Sequence, residues 1–144
     1  MSANLGYEFR EPQLLRRALA HRSWCAEAGG EESNERLEFL GDAVLGWCVA
    51  DLAYRAHADL PEGKLTDLRK SVVNASALAQ VAEHIGIGPA LLLGKGEDAA
   101  GGRAKVSILS DALEAVIGAV YLDGGSAAAF GLVERLLEIG RAHV

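Results

Sequence analysis

Aromatic side chains are scarce in this 144-residue sequence, at 6%, and Ala, Leu and Val carry most of its apolar content. That mix favours packed helices over a sandwich of strands. Cysteine is nearly absent too. Cys25 and Cys48 form no C-x-x-C pair and have no histidine at zinc spacing, so neither a disulfide framework nor a zinc site is expected. Both read as reduced thiols of a cytoplasmic chain, Cys48 as a small core residue. An excess of positive charge is missing as well. Fourteen Lys and Arg stand against twenty Asp and Glu, a formal net charge of −6. This excludes a simple polycationic nucleic-acid binder, and any function on RNA or DNA must account for the sign. The first residues, MSANLGYEFREPQ, have neither a basic start nor an apolar core, so no secretory leader is expected. The most apolar stretch, LEAVIGAVYL at 113–122, is too short to span a bilayer and contains Glu114, so no membrane segment is expected either. No repeat, linker or low-complexity tract interrupts the chain, and residues 1–144 read as one domain.

Half of the residues are hydrophobic and a quarter charged, the balance of a folded globular chain. Pro12 precedes Leu14, Leu15, Ala18 and Leu19, a helical pattern with proline in its first turn. Ser33 or Asn34 is placed to cap a long helix ending near His57, and DLPEG at 59–63 is a loop. From Lys64 to about Ile85, apolar residues recur at helical spacing. A short helix and a glycine-rich loop follow at 86–105. VSILSDALEAVIGAVYL (106–122) is a second strongly apolar helix, stopped by Asp-Gly-Gly at 123–125, and a last helix runs from about Ser126 to the end. Nothing alternates with period two. The pattern predicts an all-α bundle, with two helices apolar on nearly every side at its middle.

Those two helices carry the chemistry. In NERLEFLGDAVLGW (34–47), Glu38 and Asp42 are the only charges between Leu37 and Ala50. Four residues apart, they lie about 40° from each other around a helix and share a face. Glu35 sits one turn earlier. In the second helix Asp111 and Glu114 are the only charges from Val106 to Leu122, spaced i, i+3. Burying a lone carboxylate is costly unless it is paired or neutralised. Neither helix offers a basic partner three or four residues away, and Lys105 lies only near the edge of the second. Hard oxygen ligands in this number suit Mg²⁺, with Mn²⁺ an acceptable substitute, and two such ions serve in-line phosphodiester cleavage. Other metal chemistries lack their residues: none of the four histidines has a Glu three positions before it, and none is followed by Asp. GPALLLGK at 88–95 has the wrong spacing for a phosphate loop, and Gly96 stands where Ser or Thr is needed.

NERLEFLGDAVL, ALAHRSW, LPEGKLTDLRKSVVN and GKGEDAAGGRAKVSILSDALEAVIGAVYLDGG, in that order, resemble the endonuclease domain of bacterial ribonuclease III over nearly the whole chain. The resemblance implies that family's helical bundle, a homodimer, Mg²⁺ and no small-molecule cofactor. It implies hydrolysis of double-stranded RNA in rRNA and mRNA processing, leaving 5′-phosphate and 3′-hydroxyl ends. Carried over by position, the metal ligands are Glu38, Asp42, Asp111 and Glu114, with Asp42 and Glu114 catalytic and Glu114 the least replaceable. Glu35 and Glu62 match second-tier acidic positions. Asn34, Arg69, Lys70, Lys105 and Ser107 match the surroundings of the site and are candidate RNA contacts. Phe39 matches an aromatic that packs across the subunit interface. The family usually carries a C-terminal double-stranded-RNA-binding domain, which is not seen before the sequence stops at EIGRAHV. An isolated catalytic domain is expected over a compact relative, because the short class that lacks the RNA-binding domain resembles this signature less well. Ser110 stands where a small Ala is common.

Two other classes share the fold or the ligands: a non-catalytic dimeric RNA-binding module, which loses ligand carboxylates, and a metal-dependent hydrolase of small nucleotides. The acidic total is compatible with an RNA substrate because metal ions invert the local field. Basic residues also cluster, as Arg16, Arg17 and Arg22, as Lys64, Arg69 and Lys70, and as Lys95, Arg103 and Lys105. Contacts of that kind follow duplex shape and weaken with salt.

Overall fold

Helix dominates the computed structural model, which describes residues 1–142. Nine α-helices follow one another among these residues: α1 Ser2–Leu5, α2 Pro12–Ala18, α3 Arg22–Glu27, α4 Glu35–Ala56, α5 Glu62–Val72, α6 Ala75–His84, α7 Ile87–Ala90, α8 Lys95–Ala99 and α9 Val106–Ala142. A 3-10 turn, Gly102–Ala104, links α8 to α9. No strand forms among the described residues. One isolated parallel bridge joins Ala20 to Leu92.

The fold is all-α, and α9 is its axis. Leu113, Val116, Ile117, Val120, Leu132 and Val133 of α9 are fully buried. Each such side chain contributes about 1.5–3 kcal/mol by leaving water. The long α4 packs along one flank of α9 and α6 along another, with α2 across it. By length and composition alone, Val106–Arg141 could cross a membrane. The reading of 113–122 as too short therefore needs correcting, since the helix does not end there. What marks it as a core helix is its packing: its apolar positions are covered by α4, α6 and α2.

The predicted stop at 123–125 is a kink. Gly125 adopts φ +86° and ψ −176°, a conformation that L side chains rarely adopt, and it divides α9 into two helical stretches. Asp123 pins the kink to the N-terminal segment. Its carboxylate accepts from the Tyr7 hydroxyl at 2.6 Å and from the backbone N–H groups of Arg10 and Glu11 at 2.8 and 2.9 Å.

The continuous periodicity from Lys64 to Ile85 belongs to two helices. Asn74 breaks it, accepting from the Ala77 N–H at 2.9 Å as the N-cap of α6. Asn34 takes the N-cap position of α4 without capping it, since its side chain is used elsewhere. The predicted last helix extends through Ala142, and its final two residues lie outside the described ones. Cys25 and Cys48 are both free and buried. Burial pushes the Cys48 thiol up to about 11.

Candidate metal centre

The crossing of α4 and α9 sets the geometry, and two glycines allow it. A methyl group on Gly41 would stand 1.6 Å from the Glu114 carbonyl oxygen, and one on Gly118 would stand 2.5 Å from that of Leu37. The two backbones touch, which no residue with a Cβ permits. Glu38 and Asp42 flank Gly41, and Asp111 and Glu114 precede Gly118 by about two turns and one turn. Glycine at the crossing therefore brings the acidic face of each helix against the other. The sequence reading passed over both glycines. Their signal was there: glycine inside a strong helical pattern costs about 1 kcal/mol against alanine, and marks a site where something approaches closely.

Across the crossing, Glu38 hydrogen-bonds Asp111 and Glu114 hydrogen-bonds Asp42. Burial pushes Glu114 up to about 8, reinforced by the bond to Asp42 and by the charges of Asp42, Glu38 and Asp111. Glu38 is raised by burial, then by Asp111, Glu35 and Asp42. Asp111 is raised by burial, which outweighs the bond from Glu38 and the nearness of His21. Crowding of carboxylates and partial burial thus act in the same direction on both glutamates, favouring the protonated form.

No Lys, Arg or His among the described residues makes an ion pair with any of the four. The salt bridges involve Glu32, Asp51, Asp98 and Glu97 instead. Lys105, the basic residue that the sequence sets at the edge of the second acidic helix, is held by Glu97 at 2.5 Å.

Two expectations need correcting. The carboxylates are not buried in the core: Asp42 and Asp111 are exposed, Glu38 and Glu114 partly buried. Nor do three or more of them close on one point among the described residues. They sit two by two along a cleft, Glu38 with Asp111 and Glu114 with Asp42. The donor set still fits a hard divalent cation. Four oxygen-bearing side chains stand together with no ion pair to any of them among the described residues, and each of the two glutamates feels both aspartates.

The remaining site residues divide around this cleft. Glu35 and Asn34 line a 250 Å³ cavity with Glu38, Asp111 and Ser107. The Asn34 side chain is buried, and its amide donates to the Ala18 carbonyl at 3.1 Å, tying α4 to the end of α2. Its first role in the structure is therefore to hold the helix. Arg69 and Lys70 are exposed and share a 350 Å³ cavity with Asp42 and Trp47. Lys105 and Ser107 border a third cavity of 620 Å³.

Glu62 is not brought into the cluster. It is exposed at the start of α5, and its carboxylate accepts from Thr66 at 3.1 Å. Phe39 points out of the bundle, 83% exposed, beside Trp47 and Tyr54 on α4. His21, which the sequence reading did not single out, lines two of the cavities.

The family model described as Ribonuclease-III-like matches residues 11–139. The chain belongs to this family. Among ribonuclease-III-like relatives, it is 56% identical over 138 residues to Ribonuclease 3 of Streptomyces coelicolor, covering 96% of this chain and 50% of that protein. It is 59% identical over 127 residues to Ribonuclease 3 of Thermobifida fusca, covering 88% and 53%. The chain spans about half the length of these curated relatives. The nuclease domain of ribonuclease III from Campylobacter jejuni superimposes with a TM-score of 0.91 at 41% identity, covering 96% of this chain and 94% of that one. That structure was described for flexibility in a region involved in dimer formation. The ribonuclease III fold expected from the sequence is the fold observed.

Proposed function

We propose that residues 1–144 form one nuclease domain that hydrolyses phosphodiester bonds in double-stranded RNA, leaving 5′-phosphate and 3′-hydroxyl ends, in a cytoplasmic RNA-processing role. The observation that carries this is the pair of unneutralised carboxylate couples facing each other across the α4–α9 crossing. Glu38, Asp42, Asp111 and Glu114 are the proposed ligands of Mg²⁺, which Mn²⁺ could replace. Bound there, the cation supplies Lewis acidity toward a phosphodiester.

The rest is work for the chain's own side chains. Glu114, partly buried, and Asp42 opposite it form one couple, and Glu38 with Asp111 the other. Glu35 adds negative charge at the rim, and Glu62 stands farther out on α5. Arg69 and Lys70, which share a cavity with Asp42, and Lys105 and Ser107, which border the cavity on the other side, are the proposed contacts to backbone phosphates. Asn34 orients the start of α4 through Ala18. Phe39, with Trp47 and Tyr54, offers an apolar face for a second copy of the chain. A two-fold pair of sites matches the two strands of a duplex.

The test is cleavage of an end-labelled RNA duplex in Mg²⁺, with Ca²⁺ and single-stranded RNA as controls. Cutting restricted to the duplex in Mg²⁺ is expected, and Glu114→Gln should abolish it without unfolding the chain. Duplex binding with no cutting by the unaltered protein would point instead to a non-catalytic RNA-binding module.

A further inference from the structure

The cavity beside Glu38 and Asp111 does not end there. It shares His21, Arg22, Ser107 and Ile108 with the larger 620 Å³ cavity toward Lys105, so the two form one open groove leading away from the carboxylates. Its size falls within the range of small-ligand clefts, about 300–1,000 Å³.

His21 is locked in this groove. Its Nδ1 accepts the Ser23 backbone N–H at 3.1 Å and meets the Ser23 hydroxyl at 2.8 Å. A backbone N–H can only donate, so Nδ1 is the acceptor and the ring proton of the neutral tautomer is on Nε2. That leaves a donor on the ring of a side chain that borders the groove. The hydroxyl of Ser23 is itself fixed, accepting from the Gly94 N–H at 2.9 Å. The backbone is fixed too: the His21 N–H donates to the Leu92 carbonyl at 3.0 Å, and the Leu92 N–H donates to Leu19 at 2.9 Å. The donor is therefore pre-positioned.

Arg22 stands next to it, exposed. Most of its basic neighbours are spoken for: Arg17 pairs with Glu32, Arg103 with Asp98 and Lys105 with Glu97. Arg22 makes no ion pair among the described residues, in a chain whose net charge is −6. A fixed ring N–H donor and a guanidinium without an ion pair, side by side in a groove leading from the carboxylates, are a donor set for an oxyanion.

We propose that His21 and Arg22 form a subsite that grips a backbone phosphate adjoining the bond to be cut, holding the strand in register on the Ser107 side of the carboxylates. This rests on the duplex-RNA reading above.

The experiment compares wild type, Arg22→Ala, Arg22→Lys and His21→Asn on one labelled duplex in Mg²⁺. Single-turnover rates are followed against protein concentration and salt. Asn keeps the cap to Ser23 but is too short to reach the groove. Arg22→Ala is expected to weaken half-saturation about five- to tenfold, change the maximal rate less, and lower the salt slope by about one. Arg22→Lys should recover part of the affinity, and His21→Asn should move half-saturation the same way. Replacing single phosphates by neutral methylphosphonates should reveal one position that weakens wild type but not Arg22→Ala. Wild-type half-saturation and salt slope in Arg22→Ala, or methylphosphonate losses that add at every position, would overturn the subsite while leaving the nuclease reading intact. A wild-type protein that leaves the duplex uncut and unbound overturns both. Arg22 is exposed, so its variants decide the matter even if His21→Asn folds poorly.

Discussion

Gly41→Ala should do disproportionate damage. The added methyl would lie 1.6 Å from the Glu114 carbonyl oxygen, where carbon and oxygen need about 3.3 Å. The α4 and α9 backbones must therefore part by about 1.7 Å. Overpacking of this kind costs about 1–3 kcal/mol, and a backbone carbonyl cannot swing aside as a side chain does, so the upper end applies. Better helix propensity returns about 1 kcal/mol. The net loss is about 2 kcal/mol, which lowers Tm by about 4–8 °C in a chain of this size. Gly131→Ala is the matched control in α9. Its methyl would meet only the Arg135 guanidinium, at 3.6 Å, so propensity wins and Tm should rise by about 2–4 °C. Thermal unfolding by circular dichroism reads both variants. Mg²⁺ titration adds a second measure, because parting the helices separates Glu38 from Asp111 and Asp42 from Glu114, and affinity should fall at least about tenfold. If Gly41→Ala proved as stable as Gly131→Ala, with Mg²⁺ affinity intact, the close crossing could not be what assembles the site.

The carboxylates make three further predictions possible, together with the apolar face beside them. Glu114, held up at about 8 in the folded chain against an ordinary glutamate when unfolded, keeps a proton that the unfolded chain releases. Without divalent cations stability should therefore fall as pH rises from about 4.5 to 8, and Glu114→Gln should remove most of that slope and gain about 1–3 kcal/mol at pH 8, as read by urea unfolding. Mg²⁺ competes with the same proton, so it should raise the Tm of wild type more at pH 8 than at pH 6 and leave Glu114→Gln nearly unmoved; an equal rise in the variant would remove Glu114 from the ligand set. Phe39→Asp should yield a monomer in sedimentation equilibrium with no loss of monomer stability, since the ring is 83% exposed; an unchanged dimer would place the interface elsewhere.

Much of this was legible along the chain, and the reason is local. Helical spacing alone puts Glu38 with Asp42, and Asp111 with Glu114, on single faces, and the apolar runs around them mark α4 and α9 as central. Pro12 and Asp123–Gly125 punctuate the helices through their own backbone preferences. Where the reading failed, the deciding contact came from far away or from a choice between rival local bonds. Asn74 could have stayed within a continuous helix, but it caps α6. Asn34 could have capped α4, but a carbonyl on α2 claimed its amide. His21 gained its place through Leu92, 71 residues on.

The sequence by itself determined which residues share a helical face and that their charge has no neighbour to cancel it, because both follow from spacing and residue type. Only the tertiary structure decided that the two acidic faces meet, that they meet at Gly41 and Gly118, and that the four groups pair along an open cleft. Which surfaces touch is settled by the packing of the whole bundle around α9, and no local pattern carries that information.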